Sequence, residues 1–149
     1  MTRLVLDASA GVELLLDTQR GRSLAAKLPS GVSWWVPEHY YAEVAGALRR
    51  AELRSEVPPA RVARALNQLR EAALYSVALS PLLAEAWERR KSMSVADALY
   101  VILAKHLDAS LVTADIKLTR APSLGVDTIF PWGAVSLVRD LSAVCPRTR

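Results

Sequence analysis

Short apolar runs alternate along this chain with longer segments in which apolar and polar residues recur at helical spacing. The apolar runs predict strands, and the periodic segments predict helices. The predicted strands cover residues 4–6, 32–36, 75–79, 110–113 and 126–130. The predicted helices cover residues 8–16, 21–28, 37–53, 60–72, 81–90, 94–107 and 135–144.

This order predicts a three-layer α/β fold with a mainly parallel central sheet flanked by helices. The segment 98–104 is apolar on every face, so its helix is expected to be deeply packed. The predicted helix 60–72 has a stripe formed by Val62, Leu66 and Leu69. No linker rich in Gly, Pro or Ser divides the chain, so residues 1–149 are expected to form one domain.

The sequence argues against a disulfide-linked, zinc-binding, membrane or exported protein. The single cysteine, Cys145, cannot form an internal disulfide and lies in no Cys/His cluster of zinc-ligand spacing. The longest hydrophobic stretch, residues 72–84, is interrupted by polar residues and proline and is too short to span a bilayer. The N-terminus lacks the pattern of a signal peptide, so we expect a cytoplasmic protein without membrane contact.

The chain carries a formal charge of +4 and has a pI near 9.6. Its nineteen basic residues are mostly arginine, whose planar guanidinium group suits phosphate. This bias is compatible with a nucleic-acid substrate, and genome composition explains it equally well.

Two aspartates lie just after predicted strands. Asp7 follows the run 4–6, and Asp115 follows the run 111–113. Ligands of parallel α/β sheets bind outside the carboxyl ends of the strands, so both carboxylates are expected at one rim. Each aspartate also precedes a helix, and helix capping is the alternative interpretation, although Ser9 is a second candidate cap for the first helix.

Two further acids lie on predicted helices. Asp97 comes three residues after Ser94, a spacing that resembles a capping box. The helix that follows is apolar all round, and a carboxylate there needs a compensating cation or donor. Glu43 lies next to the buried stripe of its helix, and a solvated position is its alternative interpretation.

If the four acids converge, they repel one another strongly, and a divalent cation would remove that cost. Like charges about 4 Å apart cost about 4 kcal/mol at an effective dielectric of 20. Mg²⁺ or Mn²⁺ prefers such carboxylate oxygens and commonly binds substrate phosphate as well. The lack of a His/Cys set argues against zinc.

Four short motifs carry a resemblance to a known family. They are VLDAS at residues 5–9, AEV at 42–44, VADALY at 95–100 and LVTAD at 111–115. In order and over essentially the whole chain, they resemble the motif blocks of PIN-domain nucleases, and most of all those of the VapC toxins of toxin–antitoxin pairs. The resemblance implies a PIN-like domain that hydrolyses RNA with Mg²⁺, or Mn²⁺. The implied catalytic and metal-binding residues are Asp7, Glu43, Asp97 and Asp115.

The resemblance also implies roles for neighbouring residues and partners. Ser9 and Thr113 are expected to orient ligands or phosphate through their hydroxyl groups. A small VapB-like antitoxin is expected to cover the site, and the toxins of this kind often form homodimers. Tryptophans 34, 35 and 132 are expected in the core rather than in such contacts.

One motif departs from some family members, which have a further acid shortly after the last motif aspartate. This chain has Ile116-Lys117-Leu118 there, so one or two metal ions stay possible. Lys117 and Arg120 are candidates for phosphate contact, with exposed solvated charges as the alternative. Arginines on the helices between residues 49 and 70 are candidates for guiding the RNA backbone.

Other functions stay open at this point. An RNA-processing PIN nuclease without a toxin role would carry the same motifs, and a non-catalytic binding descendant would keep the fold. A receiver-type phosphoacceptor module also has aspartates at strand ends. Such modules usually have adjacent acids after the first strand, whereas residues 4–7 supply only Asp7.

Overall fold

The computed structural model describes residues 1–121 and 124–133. Its centre is a five-stranded sheet with the strand order β3-β2-β1-β4-β5, in which every neighbouring pair is parallel. The strands are β1 (Thr2–Leu6), β2 (Val32–Pro37), β3 (Leu74–Val77), β4 (Ser110–Val112) and β5 (Thr128–Ile129). The predicted α/β fold with a parallel central sheet is confirmed.

Helices fill the connections between the strands. They are α1 (Ala8–Leu15), α2 (Gln19–Lys27), α3 (His39–Leu53), α4 (Pro59–Glu71), α5 (Leu83–Glu88), α6 (Val95–His106) and α7 (Ile116–Thr119). The helix predicted at 135–144 lies outside the described residues. Within the described part of the chain, no helix has both the length and the apolar character needed to cross a membrane.

The core includes the central strands, the inner faces of α1 to α4 and most of α6. All residues from 98 to 104 are buried, as their all-apolar pattern predicts. Leu4 and Val5 of β1 are buried as well. Helices cover both faces of a parallel strand, which explains why this strand is apolar at consecutive positions.

Some predicted boundaries and faces were wrong. The predicted helix 81–90 is a 3₁₀ turn at Ser80–Leu82 followed by the short α5, and the predicted strand 126–130 contains only the two residues of β5. On α4, Leu66 is 40% exposed, whereas Ala65 is buried with Val62 and Leu69. The buried stripe therefore follows the spacing i, i+3, i+7, and the small Ala65 allows close packing where a leucine was expected.

Sheet register brings two distant segments to one rim. Leu6 at the end of β1 pairs with Val112 at the end of β4, and the Asp7 amide donates to the Val112 carbonyl at 2.9 Å. Asp7 and Thr113 therefore leave the sheet side by side, at the carboxyl ends of adjacent strands.

Candidate functional site

Asp7 is buried at this rim, with 4% of its surface exposed. Its Oδ2 accepts hydrogen bonds from the Ser9 hydroxyl at 2.6 Å and from the Thr113 hydroxyl at 2.7 Å. Both hydroxyl oxygens accept backbone donors in turn, Ser9 from the Ala114 amide and Thr113 from the Asp115 amide, each at 3.0 Å. This network fixes the carboxylate and joins the ends of β1 and β4.

The capping interpretations have different outcomes at the two strand ends. Asp7 is the N-cap residue of α1 by position, but its side chain makes no capping hydrogen bond. The prediction of Ser9 as the cap was also wrong, because its hydroxyl is used by Asp7 and Ala114. Asp115 does cap a helix, since its Oδ1 accepts from the Lys117 amide at 2.9 Å at the start of α7.

The first turn of α6 positions Asp97. The Ser94 hydroxyl accepts a hydrogen bond from the Asp97 amide at 3.1 Å, which confirms the predicted cap. In this cap the serine side chain satisfies the backbone, so the Asp97 carboxylate is not needed there.

Glu43 lies on α3 and is only partly solvated, with 37% of its side chain exposed. Its Oε1 accepts hydrogen bonds from the Tyr100 hydroxyl and from His39 Nε2, both at 2.9 Å. The alternative interpretation, in which Glu43 is freely solvated, is therefore wrong.

All four acids line one cleft of about 1000 Å³. Side chains from α1, α2, α3, the start of α6 and the segments after β4 and β5 form its walls. The polar and aromatic residues in the walls besides the four acids include Ser9, Glu13, Gln19, Arg20, Ser23, Arg50 and Trp132.

The pKa values of Asp7 and Asp97 reflect their burial and the charges of the neighbouring acids. Burial raises the pKa of Asp7 above its ordinary value, the hydrogen bonds from Ser9 and Thr113 oppose this, and the charges of Asp97 and Glu43 raise it further. Burial and then repulsion from Asp115 and Glu43 likewise raise the pKa of Asp97, against the hydrogen bond from Ser94 and the charge of Lys117. The charges of Asp97 and Glu43 therefore act on Asp7, and those of Asp115 and Glu43 act on Asp97.

Glu43 shows the opposite shift. Its hydrogen bond with His39, followed by that with Tyr100 and by the charges of His39 and Arg50, lowers its pKa although burial opposes this. Glu43 is thus stabilised as a carboxylate, whereas ionised Asp7 and Asp97 cost free energy in the folded protein.

The donor set fits a hard divalent cation that keeps part of its water shell. Among residues 1–121 and 124–133, no three acidic, imidazole or thiol groups converge to surround one ion directly. Mg²⁺ usually retains several waters and binds one or two protein carboxylates directly, so it does not require such a cage. Repelling carboxylates with raised pKa values beside an open cleft are compatible with this mode of binding.

Some basic residues near the rim lie in the cleft wall and others lie outside it. Lys117 and Arg120 are both exposed and are not part of the cleft wall. Arg50 is the arginine of the 49–70 region that lines the cleft. Arg61 donates instead to the Leu16 carbonyl, which makes it a structural residue.

Sequence reasoning missed the roles of His39, Tyr100, Arg20 and Trp132 at the site. Among the cleft residues outside the acidic set, Arg50 had a local signal, because residues 43, 47 and 50 are spaced to share one helix face and all three line the cleft. Trp132 was expected in the core but is partly exposed in the cleft wall, whereas Trp34 and Trp35 pack against the core as expected.

A contact between α2 and the segment after β5 places Trp132. The Lys27 ammonium donates to the carbonyls of Phe130, Trp132 and Gly133 at 2.9, 3.2 and 2.8 Å. One lysine therefore holds residues 130–133 against the cleft wall.

Comparison with known proteins identifies one family, and similar proteins are ribonucleases named VapC. The family model described as "PIN domain" matches residues 4–124. Ribonuclease VapC3 of Mycobacterium tuberculosis is 39% identical over 119 residues, which are 80% of this chain and 87% of that protein. Ribonuclease VapC12 of the same organism is 34% identical over 118 residues, 79% of this chain and 91% of that protein.

Solved structures share the fold at lower identity. VapC20 of Mycobacterium tuberculosis, described as a toxin that cleaves the sarcin–ricin loop, matches with a TM-score of 0.58 and 16% identity over 76% of this chain and 90% of its own. The VapBC2 complex of Rickettsia felis, bound to a DNA fragment from its promoter, matches with a TM-score of 0.57 and 14% identity over 85% of this chain and 97% of its own.

Proposed function

This chain belongs to the PIN-domain family and to its VapC branch, and on that premise we propose that it is a divalent-cation-dependent endoribonuclease. The proposed catalytic and metal-binding residues are Asp7, Glu43, Asp97 and Asp115. The observation that carries the proposal is that these four acids, from four separate segments of the chain, line one cleft in which burial and the charges of neighbouring acids raise the pKa values of Asp7 and Asp97.

The reaction is hydrolysis of a phosphodiester. A water molecule gives up one proton as its oxygen bonds to phosphorus, the bond to the leaving ribose oxygen breaks, and that oxygen takes a proton. Bound Mg²⁺, or Mn²⁺, supplies positive charge that stabilises the negative charge developing on the phosphate. Asp7 and Asp97 are the residues that hold the cation, together with Asp115.

Asp7 and Glu43 have different roles in this proposal. The network of Ser9 and Thr113 holds Asp7 in one orientation, so little reorganisation is needed when the cation binds. Glu43 stays ionised because of its donors, so it accepts a hydrogen bond from the attacking water and orients it.

The substrate is RNA in single-stranded or loop form. Arg20 and Arg50 supply positive charge for backbone phosphates beside the acids, and Trp132 offers an aromatic surface for stacking an unpaired base. A strand with splayed bases reaches such a cleft more readily than a rigid duplex does.

A toxin role in a VapBC-type pair is the finer part of the proposal. It includes a VapB-like antitoxin that covers the cleft, a homodimeric toxin and a cytoplasmic location. Support comes from the 34–39% identity to VapC3 and VapC12 and from the fold shared with VapBC complexes. A processing nuclease without an antitoxin is the competing assignment within the same chemistry.

The test of the chemistry is cleavage of RNA by the purified protein with Mg²⁺, with Mn²⁺ and with EDTA. The Asp97→Asn variant keeps the shape of the side chain and the Ser94 cap but removes the charge, so we expect cleavage to fall at least about 100-fold. Asp17→Asn is the matched control, since Asp17 is exposed and lies outside the cleft wall. Full activity of Asp97→Asn, or full activity in EDTA, would contradict the proposal.

The toxin role needs a separate test. Induced expression of the wild-type chain in a bacterial host is expected to arrest growth, and Asp97→Asn is expected to relieve the arrest. Co-expression of the short reading frame next to the gene should restore growth and yield a complex with the chain. Growth without any arrest, combined with RNA cleavage in vitro, would favour the processing nuclease.

A further inference from the structure

Glu43 is held through one oxygen by two residues outside the acidic set. Its Oε1 accepts from the Tyr100 hydroxyl and from His39 Nε2, both at 2.9 Å. Its Oε2 has no hydrogen-bond donor among the described residues, and the residue lines the cleft. One oxygen is therefore committed to the protein, while the other stays available for a cation or a water molecule.

Tyr100 is a donor by its environment. It is completely buried within α6, and its hydroxyl lies 2.9 Å from Oε1 of Glu43, a carboxylate oxygen that accepts hydrogen bonds. The hydroxyl therefore keeps its proton and donates to the carboxylate. A phenylalanine would fill the same core volume, so packing alone does not explain why this all-apolar helix segment carries a hydroxyl directed at an acid.

His39 connects the two helices that carry acids. Its Nε2 lies 2.9 Å from Glu43 Oε1 and 2.9 Å from the carbonyl of Ala96, the residue before Asp97. Both partners are acceptors, so Nε2 carries the hydrogen and shares it between them. The ring also packs against the Tyr100 ring, with 4.7 Å between the centroids.

The second nitrogen of His39 shows that this position is not optimised for stability. Nδ1 is buried and has no hydrogen-bond partner among the described residues. A buried polar atom without a partner costs free energy, which a purely structural position would avoid with an apolar side chain.

We propose that His39 and Tyr100 are positioning residues for the proposed nuclease site, which fix Glu43 through Oε1 and set its distance from Asp97. The inference rests on the proposed function, because it gives Glu43 a role at the cation or the attacking water. Groups that orient a metal-site carboxylate typically change metal affinity or activity by about 10- to 100-fold when removed.

The variants separate positioning from packing. Tyr100→Phe removes one donor and keeps the ring, and His39→Leu removes the other. His39→Gln is the conservative variant, because its amide nitrogen keeps a donor at similar reach. His106→Gln is the matched control, since His106 is the other histidine and bonds an exposed Glu85 outside the cleft wall.

Two measurements on these variants do not depend on turnover. Mg²⁺ affinity is measured by calorimetry without RNA, and the ¹³Cδ resonance of the Glu43 carboxylate is measured by NMR without metal. We expect Tyr100→Phe and His39→Leu to weaken Mg²⁺ binding about 10- to 100-fold and to shift the Glu43 resonance. His39→Gln should restore most of both, and His106→Gln should match the wild type.

Kinetics complete the test. Tyr100→Phe and His39→Leu should lower kcat about 10- to 100-fold with little change in KM for RNA, because the cleft walls that bind RNA are unaltered. Wild-type Mg²⁺ affinity, kcat and Glu43 resonance in both folded variants would overturn the inference. If the wild type cleaves no RNA, the proposed function fails, whereas the Glu43 resonance still decides whether His39 and Tyr100 hold this carboxylate.

Discussion

The Thr113 hydroxyl donates a 2.7 Å hydrogen bond to Oδ2 of Asp7, a residue 106 positions earlier in the chain. Both residues are buried, and each directly follows one of two adjacent parallel strands. The bond therefore closes the rim between β1 and β4 and orients the most buried acid of the cleft.

Replacing Thr113 with valine tests this bond. Thr113→Val keeps the shape of the side chain but removes one donor to Asp7 and the acceptor for the Asp115 amide. We expect a loss of about 1–3 kcal/mol in the free energy of unfolding at pH 7, measured in urea without divalent cations. Thr2→Val, at an exposed position of β1, is the control and should change stability by less than about 0.5 kcal/mol. Equal effects of the two variants would contradict a stabilising role for the bond.

Much of this rim was predictable because sheet geometry determines it. Parallel strands that run side by side end at a common edge, so Asp7 and Asp115 could be assigned to one rim from the strand pattern. The cap by Ser94 was also predictable, since its partner lies only three residues away.

Contacts between distant segments were not predictable in the same way. Ser9 has the local pattern of a helix cap, and only its proximity to Asp7 and Ala114 in the fold gives its hydroxyl another partner. Tyr100 has the pattern of one more apolar residue of α6, because nothing near it in the sequence indicates that Glu43 faces its hydroxyl. The family resemblance supplied Glu43 itself, but not the residues that hold it.

The cost of ionised Asp7 can be measured by removing its charge. Burial raises the pKa of Asp7, so its ionisation destabilises the folded protein at neutral pH. In Asp7→Asn the amide oxygen still accepts from Ser9 and Thr113. We therefore expect this variant to be more stable than the wild type by on the order of 1 kcal/mol without metal at pH 7, measured by urea unfolding.

The pH dependence of that difference has a defined sign. A carboxyl whose pKa is higher in the folded state contributes stability below its unfolded pKa and loses it as the pH rises through the folded pKa. The advantage of Asp7→Asn should therefore be largest near pH 7 and shrink as the pH falls through the raised pKa of Asp7 towards 3.8. A constant difference over this range would contradict the raised pKa.

Divalent cations should make the wild type more stable than Asp7→Asn. Mg²⁺ at about 100 times its Kd stabilises the folded state that binds it by about 2.7 kcal/mol. For a chain of this size, such a gain raises Tm by several degrees. We expect this rise in the wild type and a much smaller one in Asp7→Asn, measured by differential scanning calorimetry with Mg²⁺ and with EDTA. The same rise in both proteins would remove Asp7 from the cation site.

Two helical glycines should respond oppositely to alanine. A Cβ at Gly21 would overlap the Glu13 carbonyl, where α2 packs closely on α1. We expect Gly21→Ala to cost about 1–3 kcal/mol, because backbone must move. At Gly46 the nearest atom is 3.5 Å away, so Gly46→Ala should gain about 0.5–1 kcal/mol from the lower entropy of the unfolded chain. Urea unfolding measures both, and a neutral Gly21→Ala would show that α1 and α2 can separate freely.

Arg50 should bind RNA through charge rather than through base recognition. It lines the cleft seven residues after Glu43 on α3, so its guanidinium group is placed to meet a phosphate close to the acids.

Binding is measured in the Asp97→Asn background with Ca²⁺, which prevents cleavage, at several salt concentrations. Loss of one phosphate contact on single-stranded RNA should reduce the slope of log K against log salt by about 0.7. Arg50→Gln is expected to show this reduction for every RNA sequence tested, while Arg64→Gln, exposed on α4 and outside the cleft wall, keeps the wild-type slope. An unchanged slope in Arg50→Gln, or an effect confined to one RNA sequence, would show that Arg50 is not a general phosphate contact.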